Sequence, residues 1–157
     1  MSKTLSQARI DEVNEIISHF PNKKAALLPV LRVVEEEFGF VDEDGCRLAG
    51  ELLELAPSYV YGVLTFYTHY NREWHGKYRI MVCSTLMCAL RRSKEIVEHI
   101  KKKLGIDIGE RTADGKFSLE KVECLASCGT APMIQINEDY YENLTIQKVD
   151  EILDSLK

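Results

Sequence analysis

The chain has 157 residues, of which 45% are hydrophobic and 29% charged, and its formal net charge at pH 7 is -5. This composition excludes a disordered chain and is typical of one compact domain or a domain with a small appendage. The negative charge argues against nucleic acid as the main partner, because phosphate binding needs a surplus of Lys and Arg. No apolar run approaches the roughly 20 residues that cross a bilayer, and the N-terminus lacks the apolar core of a signal peptide. We therefore expect a cytoplasmic protein without direct membrane insertion.

Four short amphipathic helices are predicted in the first half of the chain, and together they make a small helical bundle. The apolar stripes are Ile10, Val13, Ile16, Ile17 and Phe20 in the first helix, Leu48, Leu52 and Leu55 in the third, and Tyr59, Val63 and Phe66 in the fourth. The second helix extends from about Lys23 to Phe38 and closes at Gly39. Because Pro29 would remove one backbone hydrogen bond inside it, we expect a kink there or a later start.

The pattern changes near residues 71–76 and then predicts strand, helix, strand, strand, helix, which indicates an α/β unit. The strands are predicted at Tyr78 to Cys83, Phe117 to Cys124, Met133 to Asn137, and Tyr140-Tyr141. The helix between the first two strands is predicted from Ala89 to Leu104 and ends at Gly105, its cap. Its apolar side is formed by Leu90, Val97, Ile100 and Leu104. The last helix buries Val149, Ile152, Leu153 and Leu156. We therefore expect two domains, residues 1–75 and residues 76–157.

Four of the five cysteines form two close pairs, each after a predicted strand: Cys83 with Cys88, and Cys124 with Cys128. In a reducing cytosol such pairs indicate metal or redox chemistry rather than structural disulfides. A 2Fe-2S cluster needs two thiolates on each iron, together with backbone N–H groups that hydrogen-bond the sulfurs. The spacing therefore favours one 2Fe-2S cluster per chain, with each cysteine pair on one iron.

Several alternatives to a cluster stay open at this point. Structural zinc is one, although its cysteine pairs usually have the spacing C-x2-C, which is absent here. Dithiol exchange needs C-x-x-C at the start of a helix, and a Rieske centre needs two His ligands, which neither cysteine pair contains. The last alternative is that the four cysteines simply pack in the core, because free cysteine often behaves as a small buried hydrophobe.

Three further residues carry less specific signals. Cys46 stands alone in a predicted helix, and a buried small side chain is the simplest interpretation. Arg91 and Arg92 are predicted in the first turn of the helix after Cys88, where the helix dipole disfavours cations. Solvated side chains explain them most simply, while a role in offsetting cluster charge or engaging a partner stays open. No residue is predicted to be catalytic.

A family resemblance is carried by VCSTLMC and ECLASCGTAPMIQIN around the cysteines, and by PNKKAALLPVLRVVEEEFGFV and YVYGVLTFYTHYN in the first half. These segments closely resemble the small thioredoxin-like 2Fe-2S subunit of NADH dehydrogenases, the E subunit of bacterial respiratory complex I and its relatives. The resemblance implies an N-terminal helical bundle followed by a thioredoxin-like α/β domain. All four ligand positions match, at Cys83, Cys88, Cys124 and Cys128, and Pro132 resembles a family proline that is commonly cis.

The resemblance also implies a function. The chain would be a one-electron carrier with no substrate site of its own, inside an NADH-dependent oxidoreductase complex of the NADH:quinone type. FMN and NADH would be bound by an adjacent flavoprotein subunit, and further iron-sulfur subunits would belong to the same complex. Similar subunits serve NADH-linked, often bifurcating, iron hydrogenases and NAD-dependent formate dehydrogenases. A mainly structural subunit with a non-redox metal site is the alternative of another class.

Overall fold

The computed structural model describes residues 3–157, and the chain divides into two compact units, Met1–Trp74 and His75–Lys157. Met1 and Ser2, with which the predicted first domain begins, lie outside the described residues. The helices of the first unit are α1 (Gln7–Ser18), a 3-10 helix (Lys23–Ala26), α2 (Leu27–Phe38), α3 (Glu43–Leu53) and α4 (Pro57–Phe66). Their apolar sides meet in one core, and α2 contributes most to it, through Leu27, Val30, Leu31, Val33 and Val34.

The second predicted helix begins later than its apolar pattern does. Of the two outcomes expected from Pro29, a kink or a later start, the later start is confirmed. The chain first forms the 3-10 helix and enters α2 only at Leu27, so Pro29 lies in the first turn. The N–H groups of the first turn have no partner within a helix, so proline removes no helical bond there. Gly39 ends α2 with a φ of 80°, as predicted.

The apolar stripe predicted for the fourth helix is wrong in part. Val60 and Leu64 are buried, whereas Tyr59 is 41% and Phe66 is 77% exposed. α4 carries apolar residues all round, so helical periodicity alone does not select the face that is buried. The contact with α3 selects it, because Val60 and Leu64 are four residues apart and share one side of the helix.

The second unit is an α/β fold built on a four-stranded sheet. Its elements are β1 (Tyr78–Cys83), α5 (Leu86–Leu90), α6 (Ser93–Leu104), β2 (Phe117–Val122), a 3-10 helix (Cys128–Thr130), β3 (Ile134–Ile136), β4 (Asp139–Tyr141) and α7 (Ile146–Ser155). The strand order is β2-β1-β3-β4, with β1 parallel to β2 and the other pairs antiparallel. α6 and α7 supply apolar side chains to the core of the sheet. Within residues 3–157 no helix is both long and apolar enough to span a membrane.

The helix predicted from Ala89 to Leu104 is in fact two helices. α5 ends at Leu90, and Arg92 has a φ of 70°, in the left-handed region, before α6 begins. Leu90 is therefore 69% exposed instead of buried, and Arg91 and Arg92 lie at the junction instead of in a first turn. The break redirects the chain so that α6 can bury Ile96, Val97 and Ile100 against the sheet.

Candidate metal centre

The parallel pairing of β1 and β2 brings two cysteine-bearing loops together. Cys83, the last residue of β1, lies opposite Val122, the last residue of β2. Parallel strands end at the same edge of a sheet, so the loops at residues 84–87 and 123–127 begin side by side. Ser84 ties the two starts together, because its backbone N–H and its hydroxyl donate to the Val122 carbonyl at 2.9 Å and 2.8 Å.

Cys83 and Cys88 are both buried and belong to one small apolar cluster with Ala131 and Met133. Leu125, from the second loop, packs against this cluster. The backbone N–H of Cys83 donates to the Met133 carbonyl at 3.4 Å, next to the Ala131-Pro132 peptide bond, which is cis. The second cysteine loop is therefore in direct contact with the first pair.

Hydrogen bonds to sulfur stabilise a thiolate at Cys83. Burial by itself would raise the pKa of this thiol, but the N–H groups of Thr85 and Leu125, and then the Cys88 and Thr85 side chains, bring it below its usual value. One of these N–H groups belongs to each loop. Backbone N–H groups that converge on a cysteine sulfur from two loops are what an iron-sulfur cluster requires of its protein.

Cys88 lies close to two other cysteines. Burial, and then the hydrogen bond and charge of Cys83 and the charge of Cys128, raise the pKa of Cys88 to about 11, against a lowering contribution from the Met133 N–H. The charges of Cys83 and Cys128 therefore oppose the ionisation of Cys88. A bound metal removes that conflict, because its positive charge deprotonates a coordinating thiol.

The second cysteine pair is more accessible than the first. Cys124 and Cys128 are exposed, and Cys128 begins the short 3-10 helix. The backbone N–H of Ala126 donates to Cys124 Sγ at 3.3 Å, with Ala126 itself at a φ of 61°. The structure thus brings Cys83 and Cys128 into electrostatic range of Cys88, while Cys124 and Cys128 are both exposed.

The donor set fits a binuclear thiolate centre. Soft sulfur ligands select zinc, copper(I) or iron-sulfur clusters over hard cations. Among residues 3–157 no group of three or more His, Cys, Asp or Glu side chains surrounds a single metal position. A 2Fe-2S cluster takes two thiolates on each of its two irons, and the two cysteine pairs supply that number. Fold and site therefore define a class: an α/β protein with a cysteine-lined candidate metal centre at the end of a parallel strand pair.

Comparison with known proteins agrees with this class. The E subunit of the NADH-quinone oxidoreductase of Rickettsia conorii is 38% identical over 157 residues, covering 98% of this chain and 94% of the relative. NADH-quinone oxidoreductase subunit 2 of Thermus thermophilus is 38% identical over 150 residues, covering 94% and 83%. An NAD+-reducing [NiFe]-hydrogenase in the air-oxidized state has a similar fold, with a TM-score of 0.70 at 17% identity. That match covers 80% of this chain and 22% of the hydrogenase chain.

The family follows from a match to its sequence model. The model for thioredoxin-like [2Fe-2S] ferredoxins matches residues 13–157, and the chain belongs to this family. The predicted fold class and the predicted 2Fe-2S cofactor are thereby confirmed.

Sequence reasoning missed three residues beside the centre. Ser127, Thr130 and Glu142 form one hydrogen-bonded group next to Cys128. Glu142 lies far along the chain from the cysteines, after β4, so no spacing pattern links it to them. Only the strand pairing that places β4 beside β3 brings its carboxylate to this loop.

Cys46, the fifth cysteine, lies in the core of the first unit, on α3. Burial, followed by the charges of Asp42 and Glu43, raises its pKa to about 11. Only the thiolate reacts with iodoacetamide, so at pH 8 a fraction of about 0.001 is reactive, against about a quarter for an ordinary thiol.

We therefore expect alkylation of Cys46 at pH 8 to be at least about 100-fold slower in the folded protein than in urea. Timed alkylation followed by peptide mass mapping measures this ratio. The urea sample is the control, since the same peptide is followed in both. Equal rates would contradict the buried position of Cys46.

Proposed function

We propose that this chain is the one-electron-transfer subunit of an NADH-linked oxidoreductase complex of the NADH:quinone type. In this proposal Cys83, Cys88, Cys124 and Cys128 hold one 2Fe-2S cluster, with Cys83 and Cys88 on one iron. Residues 1–75 form a helical-bundle domain and residues 76–157 the ferredoxin domain. The chain has no substrate site of its own, and it works in the cytoplasm without inserting into a membrane.

The observation that carries the ligand assignment is the meeting of the two cysteine loops at one end of β1 and β2. The Leu125 N–H reaches Cys83 from the second loop, and the charge of Cys128 acts on Cys88. All four cysteines are free, so each thiol is available as a ligand. Four thiolates leave no open coordination position on either iron, which favours electron transfer over substrate chemistry at the metal.

The partner assignment is supported by the relatives and by the surface beside the centre. Relatives that match nearly the whole chain are named as subunits of NADH-quinone oxidoreductases. Leu86 and Met87, between the first two cysteines, are 68% and 43% exposed, and Leu90 on the same short helix is exposed as well. Exposed large apolar side chains grouped in one place are typical of a protein interface. We assign this face to the FMN- and NADH-binding flavoprotein subunit, with further iron-sulfur subunits elsewhere in the complex.

The residues of the chain have three tasks in this mechanism. When bound, the cluster accepts and releases one electron at a time. Cys83 and Cys88 anchor it in an apolar environment that keeps water away, because both are buried against Ala131 and Met133. The N–H groups of Thr85, Leu125 and Ala126 donate to the ligand sulfurs and stabilise their negative charge. Cys124 and Cys128 are exposed, so a cofactor of a partner subunit can approach the cluster from their side.

Reduction experiments on the purified chain and on the complex test this function. The chain, isolated anaerobically with its metal, is expected to give a 2Fe-2S paramagnetic resonance signal after dithionite and none after NADH alone. In the complex, NADH is expected to give the same signal, because hydride chemistry belongs to the flavoprotein subunit. A colourless, zinc-loaded protein without this signal would contradict the electron-transfer function and favour the structural alternative. The identity of the co-purified subunits distinguishes a quinone-reducing complex from a hydrogenase or formate dehydrogenase.

A further inference from the structure

A polar group lies directly behind the second cysteine loop. The Ser127 and Thr130 hydroxyls both donate to Glu142 Oε1, the latter at 2.7 Å, and the two hydroxyls are 2.7 Å apart. Ser127 and then Thr130 hold the pKa of Glu142 below its usual value, so this carboxylate is ionised at neutral pH. One carboxylate oxygen thus receives two donors from the segment that contains Cys128.

The backbone on either side of Glu142 is fixed to the same segment. The Asn143 N–H donates to the Thr130 carbonyl at 2.7 Å, and the Leu144 N–H donates to the Pro132 carbonyl at 3.0 Å. Lys148, in α7, donates to the Glu142 carbonyl at 2.6 Å. The backbone at Glu142 is therefore held by the segment from Thr130 to Pro132 and by α7, which keeps its carboxylate within reach of Ser127 and Thr130.

The second cysteine loop has little apolar burial to hold it in one conformation. Cys124, Ala126, Cys128 and Gly129 are exposed, and Leu125 is the residue that packs into an apolar cluster. Ala126 adopts a left-handed φ of 61°, which costs a non-glycine residue roughly 1 kcal/mol. Hydrogen bonds therefore contribute to holding Cys124 and Cys128 in place. The Glu142 group supplies two of them, to Ser127 and Thr130, from the chain just before α7.

We propose that Glu142 is a positioning residue of the metal centre, which holds the Cys124–Cys128 loop through Ser127 and Thr130 and places a fixed negative charge beside the cluster. This inference rests on the proposed function, because it takes Cys124 and Cys128 as cluster ligands. Two effects follow. The hydrogen bonds hold the ligand loop in shape, and the charge disfavours the reduced state, since reduction adds negative charge to the cluster.

Two substitutions separate these effects in the full-length, cluster-loaded protein. Glu142→Gln keeps an oxygen for both hydroxyls but removes the charge. It is expected to leave the paramagnetic signal and the rate of iron release to a chelator unchanged, while the reduction potential rises. Glu142→Ala removes both, and iron release is expected to be about tenfold faster, with an altered signal. Glu138→Gln, which neutralises an exposed glutamate in the turn between β3 and β4, is the control and is expected to behave as wild type.

If Glu142→Ala does not fold, a second variant removes the same hydrogen bonds from the donor side. The double variant Ser127→Ala with Thr130→Val keeps Glu142 and removes its two donors, and its iron release is also expected to be about tenfold faster. If Glu142→Ala and the double variant both match wild type in iron release, signal and potential, the positioning role is wrong. A wild-type protein without a 2Fe-2S signal is a different failure, because it overturns the proposed function before any variant is compared.

Discussion

Replacing Cys88 by alanine is expected to abolish cluster binding, with iron falling from about two per chain to background and the reduced 2Fe-2S signal lost. Cys88 is buried and forms a hydrogen bond with Cys83, and the charge of Cys128 raises its pKa. It therefore lies at the centre of the proposed ligand set. Alanine offers no ligand atom, and the buried site leaves little room for a replacement from solvent. Iron analysis, the visible spectrum and paramagnetic resonance after dithionite measure the outcome.

Cys46→Ala is the matched control, because it also removes a buried thiol. Cys46 lies in the first unit, and this variant is expected to keep its full iron content and signal while losing about 1 kcal/mol of stability. Full iron content in Cys88→Ala, or equal losses in both variants, would remove Cys88 from the ligand set.

The substitution Gly76→Ala is expected to lower the free energy of unfolding of the second unit by about 3 kcal/mol, near the upper end of overpacking effects. An added Cβ would lie 2.4 Å from the carbonyl carbon of Phe117 and 2.7 Å from the backbone nitrogen of Ser118. Both atoms belong to β2, which pairs with β1 from Tyr78 onward. Backbone atoms of a paired strand cannot move aside as a flexible side chain can, so the two strands would have to separate where their pairing begins.

Gly62→Ala provides the contrast for this prediction. Gly62 lies inside α4, and an added Cβ would meet no atom within 4 Å. Alanine is favoured over glycine in a helix interior by about 0.5–1 kcal/mol, so this variant is expected to be more stable than wild type. Guanidinium titration of both full-length variants, followed by far-UV circular dichroism, measures the two changes. A Gly76→Ala protein as stable as wild type would show that the start of β1 has room for a side chain.

Local signals allowed several elements to be predicted from the sequence. Gly39 and Gly105 both end helices in the left-handed region, with φ of 80° and 67°, because glycine adopts this conformation without a steric cost. The strand at Tyr78–Cys83 is predicted with its observed ends, since its apolar and β-branched residues are bounded by polar turns. Each of these features depends on a few neighbouring residues.

Features that depend on distant contacts could not be predicted in this way. The apolar pattern continues from α5 into α6, and only the need to bring Ile96 and Ile100 onto the sheet explains the break at Arg92. The buried face of α4 is likewise selected by α3, because the helix is apolar on every side. Periodicity describes which residues could be buried, and packing selects among them.

The sequence by itself determined the chemistry of this protein. It contains four thiols in two spaced pairs after strands, and flanking segments that identify a 2Fe-2S family. These features could be predicted because ligand type and local spacing depend only on neighbouring residues. Only the tertiary structure decided how the pairs meet. The parallel pairing of β1 with β2 places Cys83 beside the second loop, and the β3–β4 hairpin brings Glu142 behind Cys128. Hydrogen bonds between residues far apart in the chain create these contacts, and no local pattern records them.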